Sequence, residues 1–286
     1  MFPITCDKIK EITNDRQKSK MVPLSELTLL DRFLFDEVME NEQIHQLILE
    51  IILGKDIALL TRAETEKELR TSPLLRSIRM DVFSMDEEGF IYNTEAQKQP
   101  RPDLPKRSRY YQGLLDSSLL EPGSVHFNLL NDSFIIIITP YDVFGLGKYR
   151  YTFRARCDEN TSCILPDGAT RIFLNTKGTN REEAGEELAQ FLEYAEKTDD
   201  ISALNSNSEK ILRIHEHIRM LKSSEEMGVK YMQAWEEKLQ VLEEGLEKGI
   251  QLTKKVLKLS AEGRSESEIS ELCDISPEQV RRILDA

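Results

Sequence analysis

Residues 78–98 read IRMDVFSMDEEGFIYNTEAQK, and the register of this stretch decides the fold around it. Two runs rich in Ile, Val, Phe and Tyr flank Glu87-Glu88-Gly89, which predicts strands over 78–85 and 90–98 joined by a short turn. If Glu87-Glu88-Gly89 is a three-residue loop, Asp86 pairs with Phe90 and, counting back, Asp81 lies opposite Glu95. Such a loop needs its last residue in the left-handed conformation, which glycine adopts at least cost. Residues two apart on a strand share a face, so Gln97 joins Glu95 while Ala96 and Lys98 face the other way. A loop one residue longer would set Asp81 against Thr94 and scatter the cluster.

Two carboxylates and an amide oxygen brought together form a hard-oxygen donor set suited to Mg²⁺ or Mn²⁺. An ion held there can bind a phosphate, neutralise developing charge and lower the pKa of a bound water. The competing reading is that Asp81, Glu95 and Gln97 are solvent-facing polar residues on one side of a half-exposed hairpin. The hairpin alone leaves both open.

The remaining composition narrows the class. At 286 residues and 40% hydrophobic, the chain is long and apolar enough to bury a sizeable core. No apolar run approaches the roughly 20 residues that span a bilayer, and residues 1–20 lack a stretch of signal-peptide length, so a cytoplasmic protein without a membrane partner is expected. Cys6, Cys157, Cys163 and Cys273 match neither a zinc spacing nor a disulfide framework, and reduced thiols are expected. The formal net charge of −13 argues at first against a nucleic-acid partner, but the charge is segregated. Residues 98–109 carry Lys98, Arg101, Lys106, Arg107 and Arg109 against Asp103 alone, whereas residues 182–200 carry eight acids against Lys197.

Outward from the hairpin, residues 1–20 read as a poorly ordered arm. Apolar residues at helical spacing over 25–53 predict helix, stopped by Gly54. A short strand over 57–60 and a charged connector to Pro73 follow. After the hairpin, a helix is predicted over 106–120, ending near Pro122-Gly123. Residues 125–130 and 134–139 read as a second hairpin over Asn131-Asp132-Ser133, with further strands over 149–155 and 171–175. Residues 181–259 are strong helix formers and read as several helices, in which Gly245 and Gly249 mark a surface feature.

The order and spacing of several short motifs resemble one known family. Leu29-Leu30-Asp31-Arg32-Phe33 opens the first helix, then come Asp81, Glu95-Ala96-Gln97 and Arg109-Tyr110-Tyr111. Pro140-Tyr141-Asp142-Val143-Phe144 and Leu174-Asn175-Thr176-Lys177-Gly178 follow in the same order. Over roughly 23–250 the chain resembles the bacterial Rpn (recombination-promoting nuclease) and transposase family of the PD-(D/E)XK kind. The resemblance implies an α/β fold: an αβββαβ restriction-endonuclease-like core with a mixed sheet over 21–180, followed by a helical appendage. It implies a divalent metal, DNA as substrate, and a part in recombination or transposition. Under it Asp81 and Glu95 become metal ligands, and Gln97 stands where many nucleases of the superfamily carry a lysine. Asp31, Arg109 and Tyr110 become accessory candidates.

The basic run now adjoins the site, so Lys98, Arg101, Lys106 and Arg107 are expected to touch the phosphate backbone. A loop of solvated basic residues is the alternative. Residues 260–286 read as a small helix-turn-helix with Arg281 and Arg282 on its second helix, or as a plain hairpin that packs on the body or mediates a homodimer. The expectation is thus a Mg²⁺- or Mn²⁺-dependent DNA endonuclease. The rival is a catalytically inactive DNA-binding or assembly protein that keeps the nuclease scaffold.

Overall fold

The computed structural model describes residues 21–58, 64–69, 78–119 and 126–285. The expected arm over 1–20 lies outside the described residues. The chain folds as two compact units, with a boundary between Gly228 and Val229.

In the larger unit the predicted helical stretch is two helices, α1 (Arg32–Met39) and α2 (Glu42–Leu53). Asn41 makes the break, because its side chain accepts from the Ile44 amide at 3.1 Å and caps α2. Gly54 ends α2 in the left-handed conformation, as its sequence position suggested. The strand expected over 57–60 does not start, since Ile57 and Ala58 are irregular; residues 59–60 lie outside the described residues. The charged connector instead contains strand β1 (Glu64–Leu69). Its sequence, ETEKEL, lacks apolar alternation because it is an edge strand, where charge guards against further pairing.

Strands β2 (Ile78–Met85) and β3 (Ile91–Ala96) form the predicted antiparallel pair, and helix α3 (Leu104–Leu119) follows. The second hairpin does not form. Phe127–Leu129 is a single 3₁₀ turn, and β4 (Ser133–Thr139) pairs parallel to β3 after the α3 crossover. The four consecutive isoleucines of β4 mark a strand covered on both faces, which is the habit of parallel strands. Strands β5 (Arg150–Phe153) and β6 (Ala169–Asn175) complete a six-stranded mixed sheet in the order β1-β2-β3-β4-β6-β5.

One face of the sheet packs on α3 through Phe83, Ile91, Leu104, Leu115, Ile135 and Phe173. On the opposite face, α1 meets β1 and β2. Four helices extend the unit: α4 (Arg181–Ala184), α5 (Glu186–Lys197), α6 (Asp200–Asn205) and α7 (Glu209–Ser223). Both α5 and α7 pack on α2, burying Phe191, Leu192, Ile211 and Ile214. This is an α/β architecture with a mixed sheet and helices appended at its carboxyl end, as the resemblance implies.

The long helix α8 (Glu225–Ala261) runs across the unit boundary. In the smaller unit its end packs with α9 (Glu266–Cys273) and α10 (Pro277–Leu284) around Val256, Ile269 and Val280. Ser265 with Glu268 and Ser276 with Gln279 close capping boxes on the two short helices. Among the described residues Cys157, Cys163 and Cys273 are free thiols, and no helix is long and apolar enough to cross a membrane.

Candidate active site

The β2–β3 turn fixes where the acidic residues fall. Asp86 accepts hydrogen bonds from the amides of Glu88 (3.0 Å) and Phe90 (2.9 Å) and from the Tyr92 hydroxyl (2.6 Å). Gly89 has φ +83°, so the three-residue loop closes as the sequence requires. The resulting register pairs Met85 with Ile91 and Val82 with Thr94, and one further step sets Asp81 opposite Glu95. The Asp81 side chain lies outside the described part of the structure.

Glu95 is only 3% exposed, and a buried carboxylate is costly unless it is paired. One partner is Arg107, whose Nη2 lies 2.8 Å from Glu95 Oε1. The same guanidinium donates through Nη1 to Gln97 Oε1 at 3.1 Å and through Nε to the Tyr111 hydroxyl. Gln97 in turn donates to the Gln99 carbonyl (2.8 Å), which also accepts from the Tyr141 hydroxyl (3.0 Å). Burial, together with the nearby Glu95 charge, raises the Tyr141 phenol above its ordinary pKa. Glu95, Gln97, Arg107, Tyr111 and Tyr141 therefore form one connected polar cluster between β3 and α3. Asn93, two residues before Glu95 on the same face, is fully buried with neither amide atom partnered among the described residues.

Strand alternation sends Lys98 to the other side, where it pairs with Asp31 at 2.7 Å. Asp31 also accepts from the Thr28 amide and hydroxyl, so it holds the entry to α1 and does not join Glu95. Arg101 pairs with Asp103, 3.3 Å away. Lys106, Arg109 and Tyr110 lie on the exposed side of α3. In the smaller unit Arg281 pairs with Glu266 of α9, and Arg282 is exposed.

Two loops frame the site from β4 and β6. Burial alone would raise Asp142, but hydrogen bonds from the Tyr151 hydroxyl and the Phe144 and Gly147 amides outweigh it and hold the carboxyl below its usual range. Asp142 is thus the organiser of the loop that carries Tyr141. After β6, a Cβ on Gly178 would fall 2.4 Å from the Tyr149 backbone nitrogen, so only glycine fits there.

The sequence reading missed Arg107 as a centre residue and favoured Arg109. The available signal was helical: Arg107 lies one turn from Tyr111, on the face that carries the buried Leu104, Ser108 and Leu115.

The donor types fit a hard divalent cation, with oxygens offered by Gln97 and by Glu95, one register step beyond the Val82–Thr94 pair. Among the described residues no group of three or more His, Cys, Asp or Glu could hold a metal. No curated protein and no solved structure matches this chain. The family model described as PD-(D/E)XK nuclease family transposase does match, over residues 32–243. With that match spanning most of its length, the chain belongs to the PD-(D/E)XK nuclease family of transposases.

Proposed function

We propose that the protein is a metal-dependent DNA endonuclease acting in recombination or transposition, with Asp81, Glu95 and Gln97 at its centre. The observation that carries this reading is the buried Glu95, tied with Gln97 to a single guanidinium next to the Val82–Thr94 pair of the β2–β3 register. PD-(D/E)XK nucleases generally use divalent metals, and Mg²⁺ or Mn²⁺ suits these oxygen donors. When bound by Asp81 and Glu95, the ion would supply a Lewis acid for the phosphate and a more acidic water.

The chain's own groups do the rest. Gln97 orients through its amide and carries no charge, so the positive charge beside the phosphate comes from Arg107. Tyr111 holds the guanidinium in position through the Nε contact. Lys106 and Arg109, exposed on the same helix and without ion pairs among the described residues, are placed to meet the phosphate backbone of DNA.

A second reading has a specific observation behind it. Arg107 already neutralises Glu95 within the chain, as it would in a scaffold that no longer binds metal. Plasmid cleavage separates the two: with Mg²⁺ or Mn²⁺, the intact protein nicks or linearises DNA, and Asp81→Ala and Glu95→Ala abolish this. Absence of cleavage by folded protein across metals and substrates favours the non-catalytic DNA-binding reading. Cleavage that survives both substitutions places the chemistry elsewhere.

A further inference from the structure

Helix α8 exposes an apolar stripe made of Val241, Leu242, Leu246 and Ile250, which are 71%, 46%, 47% and 40% exposed. Leu242, Leu246 and Ile250 fall at 4-residue spacing and share one face of the helix, with Val241 at its edge. Gly245 and Gly249 lie on the same face, and a Cβ added to either would meet nothing within 4 Å. The result is a notched open groove of about 880 Å³ on a helix that is otherwise charged. A contiguous apolar face of this kind on a soluble helix marks an interaction surface.

The charge around the stripe identifies the occupant. Residues 236–247 carry five glutamates against Lys238, whereas residues 248–258 carry four lysines and no acid. A second copy of the same helix, laid antiparallel, sets each acidic half against a basic half. A parallel copy sets like against like.

One register satisfies both shape and charge, with the two-fold axis between Gly245 and Leu246. It brings Leu246 against Gly245 of the second copy and Leu242 against Gly249. Glu236 and Lys254 lie on the same flank of the stripe at 100° per residue, and this register brings each against the other across the two-fold. Each leucine then meets a glycine notch, which lets the backbones approach closely. The contact is isologous, so it closes as a dimer and does not propagate.

We infer that α8 is a homodimerisation helix, in which the Val241–Ile250 face pairs antiparallel with the same face of a second copy. The pairing gives the protein two nuclease-like units per assembly and is independent of whether those units cleave.

Sedimentation velocity of the full chain over a concentration series tests it, with circular dichroism to confirm folding of each variant. The wild type sediments as a dimer. Glu236→Lys and Lys254→Glu each weaken association by about tenfold or more, because each creates two like-charge contacts. The double variant E236K/K254E in one chain restores the dimer, since the swapped pair again faces its opposite. Leu246→Glu gives a monomer. A wild type that stays monomeric at high concentration, or a dimer unaffected by these four variants, overturns the proposal. So does a double variant as weak as the singles.

Discussion

Arg107 Nη2 lies 2.8 Å from Glu95 Oε1, so a helix that follows β3 supplies the counter-charge for a carboxylate buried on β3. The pair sits where the family resemblance places a metal ligand, and the lysine of the wider superfamily is replaced there by Gln97. Gln97 Oε1 accepts from the same guanidinium.

Removing the guanidinium should therefore destabilise the fold. Arg107→Ala takes its guanidinium partner from the buried Glu95, and the expected cost is about 2–3 kcal/mol, below the value for a wholly enclosed pair because Arg107 is partly exposed. Glu95→Gln in the same chain should recover most of it. Urea unfolding of the two singles and the double measures the coupling, and additive effects would refute the pair's structural weight.

Metal affinity should move in the opposite direction. A cation and the Arg107 guanidinium compete for the same Glu95 oxygen, so Arg107→Ala is expected to bind Mn²⁺ several-fold more tightly than wild type while cleaving DNA more slowly. Titration calorimetry with the metal alone gives the first quantity and plasmid nicking the second. Loss of both together would mean that Arg107 only holds the site's shape.

The register of the acidic residues should depend on Asp86. Its carboxylate ties the turn through two amides and the buried Tyr92 hydroxyl. Asp86→Ala orphans that hydroxyl, at an expected cost of about 1–3 kcal/mol, and frees the loop whose length sets Asp81 against Glu95. Cleavage should fall more than stability alone explains. Asp86→Asn, which keeps an acceptor, should retain most of both.

These relationships were unevenly legible in the sequence. The β2–β3 register could be read because a loop of fixed length and one glycine determine it locally. Two parts of the fold could not. ETEKEL has no apolar alternation because β1 is an edge, and Asn131-Asp132-Ser133 looks like a hairpin turn although β4 pairs parallel to β3. Arg107 was hidden for a related reason. Its meaning comes from Glu95, a partner twelve positions away on another element, and only the helical face it shares with Tyr111 hinted at it.

Stability should fall in mild acid because of His45. Burial with no compensating charge lowers its pKa to about 3 from an ordinary 6.5, and only the Ser84 hydroxyl, 3.4 Å from Nε2, faces it among the described residues. The unfolded chain binds the proton below pH 6.5 and the folded chain does not until about 3, so stability declines as pH falls through that window. Between pH 7 and 5 the loss is about 2 kcal/mol. His45→Leu should flatten this part of the pH profile, measured by urea midpoints. A profile unchanged by the substitution would show that other groups govern the acid limb.

DNA affinity should carry a salt dependence that maps to the exposed side of α3. Lys106 and Arg109 are solvated and make no ion pair among the described residues, whereas Lys98 and Arg101 are matched by Asp31 and Asp103. Each phosphate neutralised by a lysine or arginine contributes about 0.9 to the slope of log K against log salt. The Lys106→Ala, Arg109→Ala double variant should therefore lower that slope by about two. Lys98→Ala should change it little, because its contact with Asp31 faces the opposite side of β3. Fluorescence anisotropy of a labelled duplex over a salt series reads the slopes directly. Equal slopes for all three proteins would remove DNA from this face of α3 and leave the basic run as a solvated surface.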